Sequence, residues 1–166
     1  MMNATLSRVM CNLAGLMPGE IMLDPFCGGG GILCEASYIG ARTIGIDLNW
    51  RLLSGSKENL SFTDGDYSVI QGDVRSLPIQ QCDCIVTDPP YGRASSTRGA
   101  RAIELVESLF ERIDTILVRR LLGTPYNYSL SDWQMKVNNL TRTLKQTYLF
   151  PFFELHVQSL LKSIWD

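Results

Sequence analysis

The chain has 166 residues, the size of one ordinary domain, and folding at that length buries roughly two thirds of the unfolded surface. Hydrophobic residues make up 45% and charged residues 19%, and the 14 Gly and 7 Pro are spread through the chain, which excludes a disordered, collagen-like or low-complexity protein. The net charge of −2 argues against an autonomous nucleic-acid binder, yet the charge is uneven: residues 1–92 hold 5 Lys/Arg against 10 Asp/Glu, and residues 93–150 hold 9 against 5. No apolar run approaches the roughly 18 residues of a membrane span, and residues 1–11 have no signal-peptide layout, so a soluble, unsecreted, cytoplasmic protein is expected.

Leu6, Val9, Met10, Leu13 and Leu16 recur at helical spacing up to the breaker Pro18-Gly19, which predicts an opening helix. Residues 20–27 (EIMLDPFC) predict a strand running into four glycines. Ile32, Leu33 and Ala36 then resume helical spacing as far as a C-cap at Gly40. A second strand is predicted over 42–47, a helix over 50–60, and further buried strands over 67–71 and 83–87, separated by the polar turn 72–78. Such alternation implies an α/β fold whose mostly parallel sheet is covered on both faces. An amphipathic helix is predicted from Ala100 to about Val118, a fifth strand within 119–126 and a helix over 130–144. Two final strands, over 148–157 and 160–165, are spaced to form an antiparallel hairpin, for seven strands in all. Cys11, Cys27, Cys34, Cys82 and Cys84 form an odd set without a C-x-x-C pair, so buried reduced thiols are expected, with neither disulfides nor a metal site.

The chemistry concentrates where strands end. Asp24-Pro25-Phe26-Cys27-Gly28-Gly29-Gly30-Gly31 lies between the first strand and the next helix, where an open α/β sheet brings a ligand against glycine backbone and a helix N-terminus. No Lys or Ser/Thr follows the glycines as in a phosphate loop, and counting from Gly28 the third dinucleotide glycine is replaced by Leu33. An adenosine cofactor without a pyrophosphate fits better; tight-turn packing is the structural alternative. Asp47 ends the second strand, where a carboxylate can take both ribose hydroxyls or can simply cap the next helix. Asp73, just past the third strand, can accept from an adenine amino group or serve an ordinary Gly-Asp turn. Asp88-Pro89-Pro90-Tyr91 ends the fourth strand: the Asp88 carboxylate and the Pro89 carbonyl can accept both N–H groups of one planar amine while Tyr91 stacks on its ring. A proline-rich strand exit is the structural alternative. Arg93, Arg98 and Arg101 follow in a Ser/Gly-containing loop suited to phosphate contacts, or to a solvated helix start.

These elements, in this order, resemble the class I S-adenosylmethionine-dependent methyltransferases, and more narrowly the catalytic domain of THUMP-type tRNA guanosine N2-methyltransferases. The resemblance rests on DPFCGGGGILCEA at 24–36, GIDLNWRLLSGSKENL at 45–60, GDVRSLP at 72–78 and TDPPYGRASS at 87–96. It implies a Rossmann-like methyltransferase domain spanning residues 1–166 that methylates the exocyclic N2 of a guanosine in tRNA, position 10 being expected. It implies S-adenosylmethionine at Asp24, Pro25, Phe26, Cys27, Gly28, Gly30, Asp47, Leu48, Asp73, Val74 and Asp88, catalysis by Asp88, Pro89, Pro90 and Tyr91, and tRNA contacts by Tyr91, Arg93, Arg98 and Arg101, with no metal. The chain departs from the pattern at Gly29, where the family carries Ser or Thr, and around 119–127, where a Gly-Gly pair is missing. The family's N-terminal THUMP module is absent from this chain, so RNA grip is expected from such a module elsewhere or from a separate partner. An rRNA or DNA amino-methyltransferase, and a non-catalytic scaffold of the same fold, remain as alternatives.

Overall fold

A computed structural model of the chain describes residues 2–90, 102–113, 116, 120–123 and 146–149. Tyr91, Arg93, Arg98 and Arg101 lie outside these residues, as do the helix expected over 130–144 and all of the C-terminal hairpin beyond residue 149.

The first helix, α1 (Ala4–Leu13), begins where the Asn3 side chain accepts the Leu6 N–H at 2.8 Å, satisfying one of the unpaired donors of a helix start. Strand β1 (Ile21–Asp24) is shorter than the predicted 20–27. Pro25 has no N–H to continue the ladder, and the chain turns so that the Cys27 N–H reaches Ile46 O at 3.0 Å. Then follow α2 (Gly31–Ile39), β2 (Arg42–Asp47), α3 (Trp50–Leu60) and β3 (Tyr67–Gln71), the last three with the predicted bounds. A 3-10 turn, Val74–Ser76, precedes β4 (Cys84–Thr87). Helix α4 (Ala102–Ile113) ends short of the predicted Val118, with Ile116 in a bend beyond it. The fifth strand is present as β5 (Arg120–Gly123), and β6 (Gln146–Leu149) begins two residues before the predicted strand.

Among the described residues the strands form one parallel sheet in the order β3-β2-β1-β4-β5-β6. Side-chain alternation sorts the core into two layers. Met22, Cys84 and Val86 join α1, α2 and α3 on one face; Leu23 and Ile85 join α4 and the 3-10 turn on the other. Cys11, Cys27, Cys82 and Cys84 are buried, and none of the five cysteines is in a disulfide. Among the described residues no helix is long and apolar enough to cross a membrane.

The chain runs outward in one direction from β1 to β3 and in the other from β4 to β6, so the strand order reverses between β1 and β4. Connections diverge there and leave a crevice at the carboxyl ends. Gly45 of β2 lies beneath that crevice: a Cβ would collide with Leu33 Cδ1 and come 2.9 Å from Cys27 Sγ. Leu33 is fully buried and cannot step aside. Gly45→Ala is therefore expected to lower stability by about 1–3 kcal/mol, the usual cost of overpacking, measured as a lower urea midpoint at unchanged m.

Candidate active site

A cavity of about 470 Å³ opens at the carboxyl ends of β1, β2 and β4, a volume suited to a nucleoside-sized ligand. Of the residues expected to hold a cofactor, Asp24, Pro25, Phe26, Cys27, Gly28, Asp47, Leu48, Val74 and Asp88 line it, whereas Gly30 and Asp73 do not. Pro90 also lines it, and Pro89 is buried. Three acids and no basic residue are found among the described residues that form the wall.

The glycine loop is fixed from below. Gly28 N–H donates to Asp47 Oδ2 at 2.9 Å, and Asn59 Nδ2 of α3 donates to Gly29 O at 2.9 Å. Gly30 has φ +81°, a conformation that costs a glycine little, and a Cβ there would collide with the Ser56 hydroxyl of α3. The loop consequently presents backbone to the cavity. Gly30 supplies no side-chain cap to α2, so that helix starts with bare N–H groups beside the cavity wall formed by Gly29 and Gly31.

Asp47 has a second bond, from the Asn49 N–H to Oδ1 at 2.8 Å. The cap of α3 is Asn49, whose side chain accepts from the Arg51 N–H, so the helix-cap alternative for Asp47 does not hold. Each Asp47 oxygen has accepted one hydrogen bond and keeps capacity for another. Asp73, expected to meet an adenine amino group, caps the 3-10 turn and forms an ion pair with Arg75 two residues on. Its neighbours Gly72 and Val74 reach the cavity in its place.

Asp24 is the unusual group. It is 2% exposed and accepts from Thr87 Oγ1 at 2.7 Å and from the Phe26 N–H at 3.1 Å, both on Oδ1. Burial, with repulsion from Asp88 and Asp47, outweighs those two hydrogen bonds and pushes its carboxyl up to about 7.

Sequence reasoning missed Thr87, Asn49, Asn59 and the apolar wall residues Met2, Leu52 and Leu105. Asn49 carried a readable cap signal just before α3, and Thr87 stood beside Asp88; the cross-chain bond from Asn59 to Gly29 left no local trace. Among the described residues, no cluster of His, Cys, Asp and Glu is arranged to hold a metal ion.

Asp24 makes the domain's stability fall with pH. Its ordinary value is 3.8, so between pH 4 and 7 the unfolded chain has released a proton that the folded chain still binds, and stability declines across that window. Asp24→Asn removes the charge and is expected to be more stable than wild type by roughly 2–4 kcal/mol at pH 8, with the two converging near pH 4. Chemical denaturation at the two pH values measures both.

The family model described as RMKL-like, methyltransferase domain (UPF0020) matches residues 1–146. The chain is similar to the tRNA (guanine(10)-N2)-dimethyltransferase of Methanothermobacter thermautotrophicus, 44% identical over 112 residues that cover 66% of this chain and 33% of that protein. It is 38% identical over 122 residues to the protein of the same name in Methanocaldococcus jannaschii, covering 68% of this chain and 33% of that one. The chain thus spans about a third of the length of these curated relatives. The crystal structure of TrmN from Thermus thermophilus shares the fold, with a TM-score of 0.59 and 24% identity over 74% of this chain and 38% of that one. A parallel sheet with its cavity at the strand-order reversal, and a family model spanning most of the sequence, show that the chain belongs to the RMKL-like methyltransferase domain family.

Proposed function

We propose that the domain transfers a methyl group from S-adenosylmethionine to the exocyclic N2 of a guanosine in tRNA, at position 10. The observation that supports this reading is the placement of Asp88 and Pro90, two residues of the Asp88–Tyr91 motif, on the wall of the cavity that the glycine loop also lines. The names of the relatives supply the nucleobase and the position.

The residues present fit the cofactor. Asp24 would pair with its ammonium group, the glycine backbone and the bare N-terminus of α2 would meet its carboxylate, and Asp47 would accept from the ribose hydroxyls with its remaining lone pairs. Among the described residues the charged groups on the wall are acids, which disfavours polyphosphate cofactors and favours one with a positive centre. When bound, S-adenosylmethionine supplies an electrophilic methyl and its own leaving group.

The guanine amine is a poor nucleophile because its lone pair is delocalised into the ring. Asp88 and the Pro89 carbonyl, by accepting its two N–H groups, would localise that pair on nitrogen, and Asp88 would take the released proton. Tyr91, next in the chain, would stack on the extruded base and offset part of the unstacking cost. Arg93, Arg98 and Arg101 would contact phosphates near the target. Because the chain carries a net charge of −2, most RNA affinity is assigned to a THUMP-type module or a separate partner.

Mass spectrometry of nucleosides, after incubation with S-adenosylmethionine and unmodified tRNA, rRNA or duplex DNA, tests the proposal. Methylation at guanine N2 in tRNA is expected, and preferential methylation of DNA or rRNA would contradict it. Asp88→Ala is expected to lower turnover by about 10²–10⁴-fold while the variant folds and binds cofactor; full activity in that variant would remove Asp88 from the reaction.

A further inference from the structure

Thr87 closes β4 and is 1% exposed, a position where packing alone would be served equally by valine. Its hydroxyl is nevertheless committed across the β1–β4 boundary, donating to Asp24 Oδ1 at 2.7 Å. The second bond to that oxygen comes from the Phe26 backbone, so among the described residues Thr87 is the side chain that donates to this buried acid. The other titratable groups that interact with Asp24 do not favour its charge. Asp47 at the end of β2 and Asp88 after β4 repel it, and the thiols of Cys27 in the glycine loop and Cys11 in α1 are held protonated by burial.

We propose that Thr87 is a positioning residue for cofactor capture: its hydroxyl fixes the Asp24 carboxylate, as an anion, on the cavity wall where it pairs with the ligand's ammonium group. The inference rests on the methyl-donor reading of the cavity. A donor to Oδ1 does two things there. It sets the plane of the carboxylate, so that Oδ2, which accepts no hydrogen bond among the described residues, is left for the ligand. It also stabilises the anion against burial and two acidic neighbours, so that less binding energy goes into removing a proton from Asp24 when the cation arrives. The next residue, Asp88, belongs to the proposed amine clamp, so adjacent residues at one strand end serve both ligands.

Calorimetric titration of S-adenosylmethionine between pH 6 and 9 tests this on the 166-residue chain, its Thr87→Val variant and its Thr87→Ser variant. In wild type, affinity is expected to fall by up to about tenfold per pH unit as pH drops and Asp24 takes up a proton, and to weaken also at the alkaline end, equally in all three proteins, as the ligand's own ammonium group deprotonates. Thr87→Val keeps the shape and loses the donor. Its fall is expected to begin about one pH unit higher, making it about tenfold weaker near neutral pH and close to wild type at pH 9. Thr87→Ser restores the donor and is expected to restore the wild-type profile. Loss of affinity in Thr87→Val by the same factor at every pH would overturn the inference, because that is the signature of packing alone; so would an unchanged profile. Wild type that binds no S-adenosylmethionine at any pH would instead overturn the methyl-donor reading, and this inference with it. Carboxyl-carbon NMR of wild type needs no variant: the Asp24 midpoint is expected to drop when cofactor is added, and a midpoint that does not move would overturn the pairing.

Discussion

The Asp47 carboxylate accepts the Gly28 N–H through one oxygen and the Asn49 N–H through the other, and that pair of bonds determines where the glycine loop lies relative to β2. Without them the glycines, which contribute the least side-chain packing and the greatest chain entropy, would be held less firmly, by the Cys27–Ile46 backbone bond and by Asn59. With them the end of β2, the loop after β1 and the start of α3 become one unit. The Gly72 N–H adds the chain after β3 by donating to the Asp47 carbonyl at 3.1 Å. Asp47 is thus the tie between three strand ends, and Asn59 from α3 completes the support at Gly29.

The same edge of the sheet collects three carboxylates. Asp24, Asp47 and Asp88 share one cavity wall, and Asp24 is buried there beside repulsive neighbours. Arrangements of this kind oppose stability and persist at sites where a ligand of opposite charge relieves the repulsion. The opposing layers beneath, with Leu23 and Ile85 on one side and Met22, Cys84 and Val86 on the other, are apolar and ordinary. They hold the acids in place without taking part in their chemistry.

Much of this was legible in the sequence because local signals dominate in the first ninety residues. The bounds of β2 and β3 follow from short runs rich in β-branched residues, those of α3 from Leu52, Leu53 and Leu60 at helical spacing, and the breaker at Pro25 stands openly after Asp24. The length of β1 was overestimated because hydrophobic continuity outlasts the hydrogen-bond ladder at a proline. Asp73 shows a different limit. A strand-end acid can face a ligand or a neighbouring cation, and Arg75, two residues away, satisfies it within the turn. The Thr87–Asp24 bond spans 63 residues and leaves no periodic trace, so only the folded sheet reveals it.

Amide hydrogen exchange with and without S-adenosylmethionine tests most directly whether this acidic crevice is the cofactor site. The account predicts slower exchange, at saturating cofactor, in residues 27–31, 47–49 and 72–74, with no change at the opposite edge of the sheet around Gly40 and Ala41. Protection confined to other segments, or equal protection of these segments by a nucleotide triphosphate, would contradict it.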